Sequence, residues 1–98
     1  MSLHGKQVRH LRALAHHLKP VVQVGQAGLS DALVRKVDTE LETHELIKIK
    51  VGQEAPVGAK EAAPLLAERT GGEVAQVIGR TIVLYRARAE DPDIVLPD

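Results

Sequence analysis

Residues Leu46–Val51 read Leu-Ile-Lys-Ile-Lys-Val, and this alternation constrains the fold more than any other stretch. Side chains alternate across an extended strand, so Ile47, Ile49 and Val51 share one face and Lys48 and Lys50 the other. A strand buried on both faces reads as a continuous apolar run instead. The pattern predicts a sheet packed on helices at one face and open at the other, with two lysines on the open side.

The rest of the chain supplies the helices and strands such a sheet needs. Val8, Leu11, Leu14, Ala15 and Leu18 recur at helical spacing and predict a helix over 4–17, with Lys6, Arg9, Arg12, His16 and His17 on its other side. Pro20 stops that helix and opens a strand over Val21–Val24. Ser30 is placed to cap a second helix over 30–44, with Leu33, Val34, Val37 and Leu41 as its buried stripe. Gly and Pro mark Gly52–Gly58 as a loop. A third helix is expected over 59–69, kinked or delayed by Pro64 and ended by Gly71-Gly72. "EVAQVI" and "TIVLYR" form a hairpin around Gly79-Arg80. The order α-β-α-β-α-β-β, with right-handed crossovers, gives an α/β two-layer sandwich on a four-stranded mixed sheet. One domain is expected over residues 1–86, followed by a flexible acidic tail over 87–98.

Composition narrows the chemistry. The 98 residues suffice for one domain, and Tyr85 is the only aromatic, so the core is built of Leu, Val, Ile and Ala. The absence of cysteine removes disulfides, thiolate nucleophiles and thiolate metal sites. Ser2 and Ser30 are the only serines, Ser30 is better used as a cap, and no two carboxylates share an apolar setting. No catalytic residue is assigned and an enzyme is not expected. The five histidines lack the H-x-x-x-H spacing of a helical metal site, so neither metal nor cofactor is expected. His44 is read as a packed core residue. No run approaches a membrane span and the start lacks a signal peptide's apolar stretch, so a cytoplasmic protein without a membrane partner is expected.

Between the first strand and second helix lies Gly25-Gln26-Ala27-Gly28. A strand, a G-x-x-G loop and a helix N-terminus together can present backbone N–H groups to an anion. The motif is common, and the glycines would equally serve a plain turn. No Lys-Ser/Thr follows as in a P-loop, and G-x-G-x-x-G is absent. The thirteen basic and thirteen acidic residues cancel, but they are unevenly placed. No acid precedes Asp31, whereas Lys6, Arg9, Arg12 and Lys19 do, and Arg80, Arg86 and Arg88 gather near the other end. Such asymmetry creates a local positive field on a neutral protein. Without Phe or Trp platforms, nucleic acid would be recognised through its backbone and shape. A KH domain clamps backbone with a G-x-x-G loop between two helices; here the loop follows a strand. Three readings stay open on these residues: a nucleic-acid binder, a phosphate- or nucleotide-binding module at Gly25–Gly28, and a protein adaptor docking through its sheet face.

Three blocks, "LRALAHHLKPVVQVGQAGLSDALVRKV", "ELETHELIKIKV" and "VAQVIGRTIVLYR", closely resemble the CRM family (chloroplast RNA splicing and ribosome maturation), whose stand-alone bacterial members are the YhbY-type proteins. The resemblance covers residues 3–86. It implies a fold like the C-terminal domain of translation initiation factor three, RNA binding, and ribosomal RNA and large-subunit precursor particles as partners; a monomer is expected. Gly25 and Gly28 match the family's loop glycines, while Gln26 and Ala27 stand where the family often has polar or basic residues. The loop residues, with Lys19, Arg80, Arg9 and Arg12, are the implied RNA-binding set. Lys48, Lys50 and Arg86 are added to it as candidates.

Overall fold

A computed structural model describes residues 3–98. The elements run α1 (Gly5–Ala15), β1 (Pro20–Val24), α2 (Asp31–His44), β2 (Leu46–Val51), α3 (Ala59–Thr70), β3 (Glu73–Ile78) and β4 (Thr81–Tyr85). Local chemistry sets the boundaries. The Gln7 Oε1 accepts the His4 N–H at 3.3 Å before α1. Ser30 Oγ accepts the Leu33 N–H at 3.2 Å, capping α2 as expected. Gly71 ends α3 in the left-handed region at φ +73°. Pro64 lies within α3, on its exposed side, and the helix continues through it to Thr70.

The sheet is four-stranded and mixed, in the order β1-β2-β4-β3. β1 and β2 run parallel around the α2 crossover, and β4 is antiparallel to both β2 and β3. On one face, Val22, Val24, Ile47, Ile49, Val51, Ile82 and Leu84 pack against Val37 and Leu41 of α2 and Ala62, Ala63 and Leu66 of α3. The expectation that all helices cover this face is corrected. Leu11 and Ala15 of α1 pack on the opposite face, against Leu46, Ala75, Val83 and Tyr85. The reason is parity. Leu46 points the same way as Lys48 and Lys50, so that face begins apolar and turns basic along one strand. α1 covers the apolar end and leaves the lysine end open.

Two further expectations are corrected. His44 is exposed, with its Nε2 3.5 Å from Glu40 Oε1, because α2 turns its last residue outward before the chain enters β2. Residues 87–98 hold no helix or strand, yet they are tied to the body rather than solvated freely. Glu45, fully buried between α2 and β2, accepts the N–H groups of Arg88, Asp93 and Ile94 at 2.8, 2.8 and 2.9 Å. Gln7 Nε2 donates to the Pro97 carbonyl at 3.1 Å, and Ile94 and Leu96 pack against the α1 cluster. The tail thereby helps hold α1 on the sheet.

Candidate nucleic-acid interface

The parallel β1–β2 pair and the β3–β4 hairpin bring three connections to one end of the sheet. Gly52 N–H donates to the Val24 carbonyl at 2.9 Å, and Val51 N–H donates to the Arg80 carbonyl at 2.7 Å. The Gly25–Gly28 loop, the Gly52–Gly58 loop and the Gly79-Arg80 turn therefore stand side by side. Within the first loop, Gly28 N–H closes a turn onto the Gly25 carbonyl at 3.0 Å. Gln26 and Ala27 are left exposed at its tip, and their N–H groups carry no partner among the described residues.

The two glycines differ in what requires them. Gly28 has φ +63°, and a Cβ there would lie 2.9 Å from Pro56 Cγ. A Cβ at Gly25 would meet nothing closer than Glu54 Oε1 at 3.8 Å. Gly28→Ala should cost about 2 kcal/mol, through the left-handed backbone and the Pro56 contact, whereas Gly25→Ala should stay within about 0.5 kcal/mol. Urea unfolding of the two variants checks this; equal losses would contradict it.

The helix N-terminus beside the loop is less available than the strand-loop-helix pattern suggested. Ser30 caps it and Asp31 places a carboxylate in its first turn. Arg69 then fixes this end, reaching Asp31 Oδ1 at 2.8 Å and the Leu29 carbonyl at 2.9 Å. The α2 dipole is thus already answered by Asp31, and the loop offers its tip amides instead.

The basic residues differ in what holds them and in where they stand. Arg69, Arg86 and Arg88 are held in ion pairs. Arg86 lies between Asp38 and Glu42 and donates to the Thr70 carbonyl at 2.8 Å, at the end of the sheet away from the loop. It fastens α2 to α3 and β4. Lys19 precedes β1, also at that far end, beside Leu18, Val21 and His44. Neither is brought to the loop, and Arg9 is exposed on the outer side of α1. Arg12, Lys48, Lys50 and Arg80, like Lys19 and Arg9, have no ion-pair partner among the described residues, but these four lie along one side of the sheet. Lys50 and Arg80 flank an open cleft with Gln23 and Gly52. Lys48 and Arg12 continue the line over the α1 face of the sheet. Loop and bases make one surface of unpaired cations and free amides, suited to a polyanion.

One acid intrudes, and the sequence reading missed it. Glu54 lines the same cleft as Lys50 and Arg80, close to Gly25 and Gly52. Only the approach of the two glycine loops reveals it, since nothing local marks that carboxylate. Glu54→Gln should tighten binding of any polyanion there about threefold at low salt, a gain screened away at high salt. Fluorescence anisotropy with an RNA oligomer measures it; unchanged affinity would place the anion elsewhere.

The family model described as the CRS1 / YhbY (CRM) domain matches residues 3–86. This chain belongs to the CRM family. The CRM chain is 41% identical over 95 residues to a Bacillus subtilis protein named "Probable RNA-binding protein YqeI", covering 97% of this chain and 99% of that one. A Haemophilus influenzae protein named "RNA-binding protein" is 36% identical over 96 residues, covering 98% and 96%. The solution structure of SAV1595 from Staphylococcus aureus superposes with a TM-score of 0.80 at 42% identity, covering 98% of the CRM chain and all of that chain. The α/β fold and four-stranded mixed sheet are thus those of a solved relative. No helix among the described residues is long and apolar enough to cross a membrane.

Proposed function

We propose that this CRM protein binds RNA without acting on it chemically, and that its target is ribosomal RNA in precursors of the large subunit. The observation that carries the reading is a cluster of unpaired bases beside the loop. Arg12, Lys48, Lys50 and Arg80 line one surface unpaired, while Arg69, Arg86 and Arg88 are spent on holding the scaffold. Unpaired cations release counterions on meeting phosphates, whereas paired ones would first have to break their bridges. The Gly25–Gly28 tip adds backbone donors where phosphates would pass. The names of the relatives and the family resemblance support RNA as the polyanion and ribosome maturation as the setting. The nucleotide-module reading loses support, because Asp31 sits at the helix end that would have held a phosphate.

Binding should be strongly salt-dependent. Each phosphate neutralised on a single strand contributes about 0.7 to the slope of log affinity against log salt. The four unpaired bases that line this surface, one phosphate each, predict a slope of roughly −3. Titration of ribosomal RNA fragments across ionic strength measures it, and an affinity indifferent to salt would refute the electrostatic mode. Crosslinking in cells followed by sequencing of the attached RNA tests the target itself: enrichment of large-subunit precursor RNA is expected.

A further inference from the structure

Between α1 and the open end of the sheet runs a groove of about 510 Å³, within the roughly 300–1,000 Å³ of small-molecule pockets. Arg12 and His16 form one rim and Lys48 lies across from them. The floor is apolar, from Ala15 and Val83, and the Ile78 side chain stands 60% exposed at the outer wall. Two neutral polar groups, Gln76 and Thr81, also face in. Neither side chain has a hydrogen-bond partner among the described residues, and no acid lines the groove.

A bulge creates this arrangement. β3 pairs Val74 with Leu84 and Gln76 with Val83, so Ala75 is an extra residue. Strict alternation from Val74 would turn Gln76 and Ile78 toward the α2–α3 core. The bulge shifts the phase, so that Ala75, Gln76 and Ile78 all serve the α1 side while Val77 returns to the core. An amide and an exposed aliphatic wall are thereby aimed into a groove rimmed by cations.

We propose that the groove receives unpaired nucleotides of single-stranded RNA. The inference rests on the RNA-binding reading above and names the form of RNA taken. Arg12 and Lys48 hold the flanking phosphates. A base lies against the exposed Ile78 side chain, over the floor at Ala15 and Val83, and its polar edge meets the Gln76 amide, which both donates and accepts. A duplex keeps its bases stacked and paired, and its deep major groove withholds their edges, so it cannot fill this site. Charge complementarity selects a nucleic acid over an apolar peptide, and the exposed Ile78 wall with the Gln76 amide oxygen, which needs a donor, selects a base over a bare phosphate.

The test compares one RNA oligomer as a single strand and annealed to its complement, at equal salt, with wild-type protein and the Gln76→Ala/Ile78→Ala double variant. Both positions are at least partly exposed on an edge strand, and circular dichroism confirms that the variant folds. Wild type should prefer the single strand at least tenfold. The double variant should lose at least tenfold on the single strand and keep its duplex affinity and its salt slope, since no charge is removed. Photocrosslinking of a 4-thiouridine single strand to wild type should label peptides carrying Gln76–Val83 or Arg12–His16. Equal affinity for both forms, an unaffected double variant, or crosslinks confined to Gly25–Gly28 would overturn the groove while leaving RNA binding standing. Wild type binding neither form would overturn both readings together.

Discussion

Replacing Glu45 with alanine should lower the unfolding free energy by about 3 kcal/mol, the largest stability effect expected of any polar residue here. Glu45 is fully buried, and its two carboxylate oxygens accept three backbone N–H groups from the tail. It also ends α2, donating its own N–H to the Leu41 carbonyl at 2.8 Å and accepting the Arg86 N–H at 2.8 Å. Its backbone stands at φ +63°, unusual for a residue with a side chain, and is held there by these bonds. Alanine removes the acceptor and keeps the backbone cost. Glu45→Gln should cost less, about 1–2 kcal/mol, because one oxygen can still serve Asp93 and Ile94 while the amide NH2 opposes the Arg88 N–H. Thermal unfolding ranks the variants, and hydrogen exchange at Asp93 and Ile94 reports release of the tail. Slow exchange in Glu45→Ala would show that the anchor is elsewhere.

Acid should reproduce part of this loss. Burial pushes the Glu45 carboxyl up, but the backbone hydrogen bonds from Arg88, Ile94 and Asp93, with the Arg88 charge, outweigh it and hold the group below its ordinary 4.5. A carboxyl lowered on folding contributes fully above its unfolded value, and the contribution fades as pH falls through the folded one. The stability difference between wild type and Glu45→Gln should therefore be constant near neutrality and shrink below about pH 4.5. A difference that grew on acidification would reverse the sign and refute the anchor.

Where a feature was set by neighbours in sequence, it was legible. Ser30, Pro20, Gly71 and the alternation of Leu46–Val51 mark boundaries that the structure keeps. Features set by distant partners were not. Arg86 reads as one more cation near the chain end, and only the fold brings Asp38 and Glu42 to it. Glu45 reads as a helix-end acid, because its three donors lie more than forty residues away. The position of α1 was half legible. Leu46 shares parity with the lysines, and Val83 with Tyr85 shares a face of β4, so an apolar patch on the second face was written in the strands. The charge pattern of Lys48 and Lys50 obscured it. The bulge at Ala75 left no local mark, since no glycine or proline signals it.

Aspartates at both Gln26 and Ala27 should weaken RNA binding more than tenfold while moving stability by only about ±0.5 kcal/mol. The two side chains stand exposed at the loop tip, so neither packing nor a hydrogen bond is lost. The new carboxylates would face incoming phosphates, beside tip amides now drawn to the protein's own charge, and would add to the repulsion from Glu54. The control adds the same charge far from the loop, at Ala89 and Val95, both exposed. Leu96 is avoided because it packs on the α1 cluster. The decisive measurement is co-sedimentation of the two variants with ribosomal particles, alongside their affinity for purified ribosomal RNA. The loop variant should leave the large-subunit precursor fractions and the control should remain; equal retention of both would make the Gly25–Gly28 loop a structural turn and contradict its role in binding RNA.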